Sequence, residues 1–426
     1  MPKNRIAFDF SPGDSPHLLI TRLSHIGDCV LTLPMLEALK RNWPNSRIYW
    51  AMESPGPKLL AHHPAIDEIL PIPRDYLKSP REIWKLRTRL RAARIDLAVD
   101  PQSLTKSSVL GWLSGARFRV GFGGRYGKEL STWLNNHLVL PDSTATHLVD
   151  RSLQLVDSLT DCQDQVRRSL VRQPGTASLN LPLTVEATQW MAEQQSAGAI
   201  PQTYIVLNPG ASWPSKRWEN DRWAEVASQL AQDGLSVVVT WAGPEEKAWA
   251  EEIVARSGAG VVLAPSTSLL QLAALCQSSL FFLGCDTGPM HIAAAVGKRC
   301  VVLFGPTLPE ESGPYGHGHV CLQAWHQTEQ SGKKKLAENR AMRDIRVDQV
   351  VAACRGVMQI HGRKCIESDR RSGQRQTGQG LHVTNESGIG ESDRRSGQRQ
   401  TGQGLYVENE SGIGESDRRS GQRHAG

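Results

Sequence analysis

Short apolar runs alternate along the chain with stretches in which apolar residues fall three or four positions apart. His17 to Arg22 reads as a strand, followed by a Gly-containing turn and then by Val30, Leu33, Leu36 and Leu39 at helical spacing. Further units follow: a strand over Ile48 to Met52, a charged amphipathic helix over Ser79 to Ala93, a strand over Asp96 to Asp100, a helix after Lys106, a strand over Arg117 to Phe122, and a helix over His147 to Leu159. Strands alternating with helices imply a mainly parallel sheet covered on both faces.

Between about residues 161 and 201 the periodicity weakens, with Pro174-Gly175, Pro182 and Pro201 as breakers around a short helix near Glu186 to Gln195. The alternation then restarts. Strands are predicted over Tyr204 to Leu207, Leu235 to Trp241, Val261 to Leu263, Ser279 to Leu283 and Cys300 to Phe304, and helices over Asp221 to Gln232, Pro244 to Arg256, Leu269 to Cys276 and Pro289 to Val296. An amphipathic helix over Val347 to Met358 closes the pattern. The expected division is a first α/β domain over 1–170, a linker over 171–201, a second α/β domain over 202–345 and a closing helix over 346–361. Two such domains facing each other gather the carboxyl ends of two parallel sheets around one cleft, which is where ligands bind in open α/β folds. Functional residues are therefore expected in turns that follow strands.

Composition changes this picture at one end. A chain of 426 residues exceeds what one core usually supports, yet hydrophobic residues make up only 39% and Gly numbers 38, so part of the chain is not core-forming. From Glu367 the sequence repeats every 24 residues, restarting at Glu391 and Glu415. Each full copy offers only Leu381, Val383 and Ile389, or Leu405, Val407 and Ile413, which cannot offset the entropy of ordering. Residues 362–426 are expected to be a disordered tail, either a binding tail or a translated tandem repeat with no role.

From position 367 onward the chain holds 9 Arg and 9 acidic residues, so the net +6 belongs to the remainder, 40 basic minus 34 acidic. That mild balance suits anionic ligands or lipid headgroups and is too dispersed to argue for nucleic acid. The eight cysteines include no C-x-x-C pair, which fits a reducing cytoplasm rather than a zinc site or a disulfide framework. With no signal-like apolar segment and no apolar stretch near 18 residues, the expectation is a soluble cytoplasmic protein. His62-His63 and His317-x-His319 lack neighbouring carboxylate or Cys ligands in sequence, and no metal is expected.

Three motifs carry candidate chemistry. In Arg22 to Pro34, Gly27 permits a tight turn and Asp28 sits at or beside a helix start, either as a simple N-cap or as a carboxylate facing the cleft. In Asn208 to Trp218, a Gly turn, Ser212 and Lys216 stand between a strand and a helix, either as a surface turn or as a phosphate site. In Leu283 to Thr307, Gly284 to Gly288 form a loop and Pro289 pre-sets a helical turn whose N-H groups and dipole can hold a diphosphate. Asp286, Thr287, Gly288 and His291 stand at that helix start, and Ala293 to Ala295 allow it close packing.

Together these residues resemble glycosyltransferase family 9, the lipopolysaccharide heptosyltransferases. The resemblance covers roughly residues 17–360 and rests on the R-x-S-x-x-G-D opening, the D-T-G-x-x-H-x-A-A-A closing, and between them Asp100-Pro101-Gln102 to Lys106-Ser107, His147 to Arg151 and Trp241 to Glu246 in order. It implies a GT-B fold of two Rossmann-like domains, the first binding the acceptor and the second the nucleotide sugar. It further implies transfer with inversion from an ADP-sugar, typically a heptose, to a lipid-linked or glycan acceptor, with no cofactor. In that reading Asp28 is the catalytic base. Lys216 and Ser212 contact phosphate, Glu246 contacts ribose, Asp286, Thr287, Gly288 and His291 form the donor loop, and Arg22, Gln102 and Lys106 are acceptor-side candidates. If the acceptor is lipid-linked, peripheral contact with the inner membrane surface is expected too. The segment Gln323 to Asn339 departs from the family pattern, and the repeat tail has no counterpart in it.

A nicotinamide or flavin oxidoreductase would show G-x-G-x-x-G after a strand, whereas the first turn here holds only Gly27. An epimerase or phosphorylase on the same double fold would need catalytic groups beyond Asp28. A non-catalytic nucleotide-sugar-binding protein or scaffold is the remaining alternative.

Overall fold

The computed structural model describes residues 10–11, 13–159, 175–328 and 337–359; the expected tail over 362–426 and the start of the expected linker lie outside them. Among the described residues twelve strands pair into two parallel sheets of six. The first comprises β1 (His17–Thr21), β2 (Arg47–Met52), β3 (Glu68–Pro71), β4 (Leu97–Asp100), β5 (Phe118–Phe122) and β6 (His137–Val139), in the order β3-β2-β1-β4-β5-β6. The second comprises β7 (Tyr204–Asn208), β8 (Ser236–Val239), β9 (Val261–Leu263), β10 (Phe282–Cys285), β11 (Cys300–Phe304) and β12 (Val320–Gln323), in the order β12-β11-β10-β7-β8-β9. Each sheet reverses its winding once, between β1 and β4 in the first and between β7 and β10 in the second. Those are the positions at which such folds open a ligand crevice.

Side-chain alternation sorts the core. Leu18 and Ile20 point to one face of β1 and Leu19 to the other, as a two-residue period requires. On β7, Tyr204 and Val206 enter the same core as Leu18 and Ile20, while Ile205 and Leu207 enter a separate one. One apolar core thus touches a face of each sheet and ties the two halves together. Leu179, Leu181 and Met191, around the Val185–Ser196 helix, belong to this shared core, so the described part of the expected linker is packed. The helix over residues 347–359 buries Val350, Val351, Cys354 and Val357 against the outer core of the second sheet.

Strands β3, β6 and β12 escape the sequence pattern. All three are edge strands of three or four residues with mixed burial, so they show neither an apolar run nor clean alternation. The first helix is also divided: Ile26–Val30 ends and Leu33–Asn42 begins anew, with the Thr32 hydroxyl at the break donating to the Asp28 carbonyl at 2.8 Å.

At the end of β4 the buried Asp100 organises the turn that follows. Its carboxylate accepts from the Ser103 N-H at 2.8 Å, the Gln102 N-H at 3.2 Å, the Ser108 hydroxyl and the Asn135 amide at 3.3 Å. Burial pushes its carboxyl upward, against the opposing pull of these hydrogen bonds. Asp100→Ala leaves several buried donors unpaired and is expected to cost about 2–3 kcal/mol, read as a lower urea midpoint at unchanged slope. A midpoint equal to wild type would show that the turn holds without it.

Candidate active site between the two sheets

The turn after β1 is pinned to the turn after β4. Arg22 Nη1 donates to the Pro101 carbonyl at 3.0 Å, and the Leu23 N-H donates to Gln102 Oε1 at 2.8 Å. These bonds aim the start of the Ile26–Val30 helix at the second sheet. His25 occupies the N-cap position without a side-chain cap bond, and Asp28 lies inside the first turn, so the simple N-cap reading of Asp28 is not what forms. Its carboxylate instead pairs with Arg22 Nη2 at 2.6 Å and stands 3.7 Å from His25 Nδ1, with 29% of the side chain exposed. Burial would raise its pKa, but the Arg22 guanidinium, with the His25 side chain nearby, outweighs it and holds the carboxyl well below the usual carboxylate range.

Opposite stands the end of β10. The Gly288–Ala295 helix starts after Thr287, with Pro289 in its first turn and Ala293 to Ala295 buried against the shared core. Behind it lies a buried cluster centred on Asp286. Lys216 Nζ is 2.6 Å from Asp286 Oδ2, the Thr307 hydroxyl donates to the same oxygen at 2.6 Å, and His291 Nε2 is 4.0 Å from Oδ1. Lys216 also sits over the Trp213 ring at 4.6 Å. Burial lowers the His291 pKa despite the nearby Asp286 and Asp28 carboxylates, so the ring is neutral at neutral pH, and its Nδ1 has no hydrogen-bond partner among the described residues.

The two helix starts meet. A Cβ on Gly27 would land on the His291 imidazole, and a Cβ on Gly288 would land on Ile26 Cγ2. Glycine is needed at both positions for close approach, since neither has a positive φ. Above this contact opens a cleft of about 620 Å³.

The cleft does not gather every expected residue equally. Ser212, Glu246, Thr287, Gly288 and Lys106 line it. Lys216, Asp286 and His291 lie behind its wall, and Asp28 stands next to the lining residues Gly27 and Cys29 rather than among them. Arg22 and Gln102 are engaged in the bonds that pin the turn. Asn208, which opens the second motif, also lines the cleft, and sequence reasoning missed Glu53, Arg74 and Thr240 on its walls. Glu53 directly follows a strand, the signal that would have found it, whereas the expected strand over Leu235 to Trp241 overran Thr240, which follows β8. Lys106 Nζ bridges Ser24 Oγ at 2.9 Å and Glu53 Oε1 at 3.2 Å, which ties the first-sheet wall together. Glu246, in the first turn of the Gly243–Ser257 helix, accepts from the Ala242 N-H at 2.9 Å; burial raises its pKa. Gly210 faces it so closely that a Cβ there would stand 2.6 Å from Glu246 Oε2. Among the described residues no group of three His, Cys, Asp or Glu side chains is placed to hold a metal ion.

The sequence model described as glycosyltransferase family 9 (heptosyltransferase) matches residues 83–342. The chain belongs to glycosyltransferase family 9. Its two six-stranded parallel sheets are the GT-B fold of that family. It is 29% identical to lipopolysaccharide heptosyltransferase 1 of Pseudomonas aeruginosa over 318 residues, spanning 72% of this chain and 83% of the relative. The crystal structure of a family 9 glycosyltransferase from Veillonella parvula superposes with a TM-score of 0.71 at 22% identity, covering 83% of this chain and 99% of the other. The structure of E. coli ADP-heptose lps heptosyltransferase II gives 0.64 at 23% identity, covering 82% and 99%.

In this family 9 chain the contact of Gly27 with His291 is open to direct test. Gly27→Ala is expected to destabilise by about 1–3 kcal/mol through overpacking. The penalty should shrink when His291→Ala removes the opposing ring, and a double-mutant cycle in urea unfolding measures that coupling. Additive effects would show that the two residues do not meet in solution.

Proposed function

We propose that this chain transfers a heptose or related sugar from an ADP-sugar to a lipopolysaccharide-core or similar glycan acceptor, with inversion at the anomeric carbon and Asp28 as general base. One observation carries the reading: a carboxylate held ionised stands directly behind the lining residues Gly27 and Cys29, across from a helix start that lines the same cleft and suits a diphosphate. The name of the P. aeruginosa relative supports the acceptor class, and that of the E. coli structure supports the donor.

In this reading the diphosphate sits at the Gly288 helix start, where the dipole and backbone N-H groups favour negative charge. Thr287 and Ser212 flank it, and Glu246 receives the ribose hydroxyls. Lys216 supplies positive potential from behind the wall, its charge shared with Asp286. The acceptor hydroxyl enters from the Lys106 side and attacks the anomeric carbon in line. The bond from that carbon to the diphosphate oxygen breaks, and Asp28 takes the hydroxyl proton. A carboxylate paired with Arg22 is a weak base in the ground state, so the proton moves as the attacking oxygen acidifies in the transition state. Departing charge is stabilised by the helix start and by Lys216, without calling on a metal. A cytoplasmic site of action, peripheral to the inner membrane, goes with this donor and acceptor.

The test is a binding screen of ADP-, GDP- and UDP-sugars followed by turnover. ADP-heptose is expected to bind and react, and Asp28→Asn to lower kcat by about 10²–10⁴-fold with donor affinity retained. Turnover of another nucleotide sugar but not of ADP-heptose would overturn the donor assignment, and full activity of Asp28→Asn would remove the base. Because Asp28 is held below the usual range, it stays ionised at neutral and mildly acidic pH. The acid limb of the kcat profile is therefore expected below about pH 4. A limb near neutrality would assign the titration to another group.

A further inference from the structure

Nine large apolar side chains stand exposed among the described residues, and seven fall between Leu77 and Leu140, so the exposure is concentrated on the first-sheet half. Three are tryptophans: Trp84 is 67% exposed, Trp112 52% and Trp133 81%. Each sits on a different helix: Pro80–Ala92, Thr105–Ser114 and Ser131–Leu134. These helices lead into β4, β5 and β6 in turn and pack side by side, the first on the second and the second on the third. Leu86, Leu90, Leu110 and Leu113 face inward to the core beneath. The tryptophans face away from it, which is the costly orientation for so large an apolar surface unless something covers it.

The surroundings select the cover. The Pro80–Ala92 helix carries Arg81, Lys85, Arg87, Arg89 and Arg91 against the single acid Glu82. Arg81 and Arg87 are exposed and make no ion pair among the described residues. A second copy meeting this face about a two-fold axis would set two arginine-rich helices against each other, which is repulsive. An anionic bilayer surface satisfies both halves of the pattern, because Trp rings sit at the headgroup level and Arg side chains meet lipid phosphates. The patch also reaches the cleft. Leu77 lies three residues beyond Arg74, which lines it, and the Tyr76 hydroxyl donates to the carbonyl of Lys106, which lines it as well.

We propose that the outer face of the Pro80–Ala92, Thr105–Ser114 and Ser131–Leu134 helices, with its three exposed tryptophans and unpaired arginines, docks the protein on an anionic membrane surface with the cleft mouth beside the lipid. This deepens the lipid-acceptor reading above and names the surface that would deliver such an acceptor. No described helix is long and apolar enough to cross a membrane, so the contact is peripheral.

Co-sedimentation of the full chain with vesicles tests it, since binding needs neither donor nor turnover. Vesicles of phosphatidylethanolamine and phosphatidylglycerol are expected to bind the protein, with salt weakening the interaction. Vesicles of phosphatidylcholine alone should bind it far less. Arg81→Gln and Arg87→Gln should each weaken binding about fivefold. Combining Trp84→Ala, Trp112→Ala and Trp133→Ala should abolish both binding and the blue shift of tryptophan emission, with the circular dichroism spectrum and nucleotide affinity unchanged. Equal binding to both vesicle types, or anionic binding that survives the triple substitution, would overturn the surface. A dimer in light scattering that the same substitutions dissolve would assign the face to a second copy instead. Sugar transfer to a soluble acceptor without vesicle binding would sink the surface alone. Vesicle binding without turnover of any nucleotide sugar would sink the transfer reading and leave the surface standing.

Discussion

The structure depends on the close approach of two helix starts. Gly27 lies under His291 and Gly288 lies against Ile26, with no room for a single methyl group at either glycine. This contact lets one apolar core run from the face of β1 that carries Leu18 and Ile20 to the face of β7 that carries Tyr204 and Val206. It also fixes what stands above it. The first turn of one helix brings a carboxylate next to residues that line the cleft, and the first turn of the other brings an anion-favouring N-terminus that lines it. Two Rossmann-like halves joined elsewhere would keep their motifs and lose the juxtaposition.

Around that contact the charges are paired before any ligand arrives. Arg22 pairs with Asp28 on one side, Lys216 pairs with Asp286 on the other, and the neutral His291 stands 4.0 Å from Asp286. Burying charges in hydrogen-bonded pairs limits the cost of desolvating them, and removing one partner leaves the other exposed to that full cost. The arrangement favours positional accuracy over raw basicity. Asp28 is held in one place and ionised, at the expense of proton affinity in the ground state. That trade suits a reaction whose proton becomes acidic only as the new bond forms.

Much of this was legible in the sequence because strand ends are. Residues 22–28, 208–216 and 284–291 each follow an apolar run, and parallel sheets send such positions to one edge. Depth was not legible. Lys216 and His291 sit in motifs that read as ligand contacts, yet both point into the seam behind the cleft wall, because their partners Asp286 and Gly27 lie far away in sequence. Periodicity reports which face of an element is buried and says nothing about which distant element buries it. Short edge strands such as His137–Val139 lack even that signal. Glu53 and Arg74 were missed on the first-sheet wall because neither stands in a motif, although Glu53 directly follows β2.

The most direct test is a crystal structure of the chain with an ADP-sugar blocked against transfer. The diphosphate is expected at the Gly288 helix start, the ribose beside Glu246, and the anomeric carbon turned toward Asp28, with space between them for one hydroxyl entering from the Lys106 side. A sugar turned away from Asp28, or a diphosphate bound elsewhere in the cleft, would contradict the placement of base and donor on which the proposed chemistry rests.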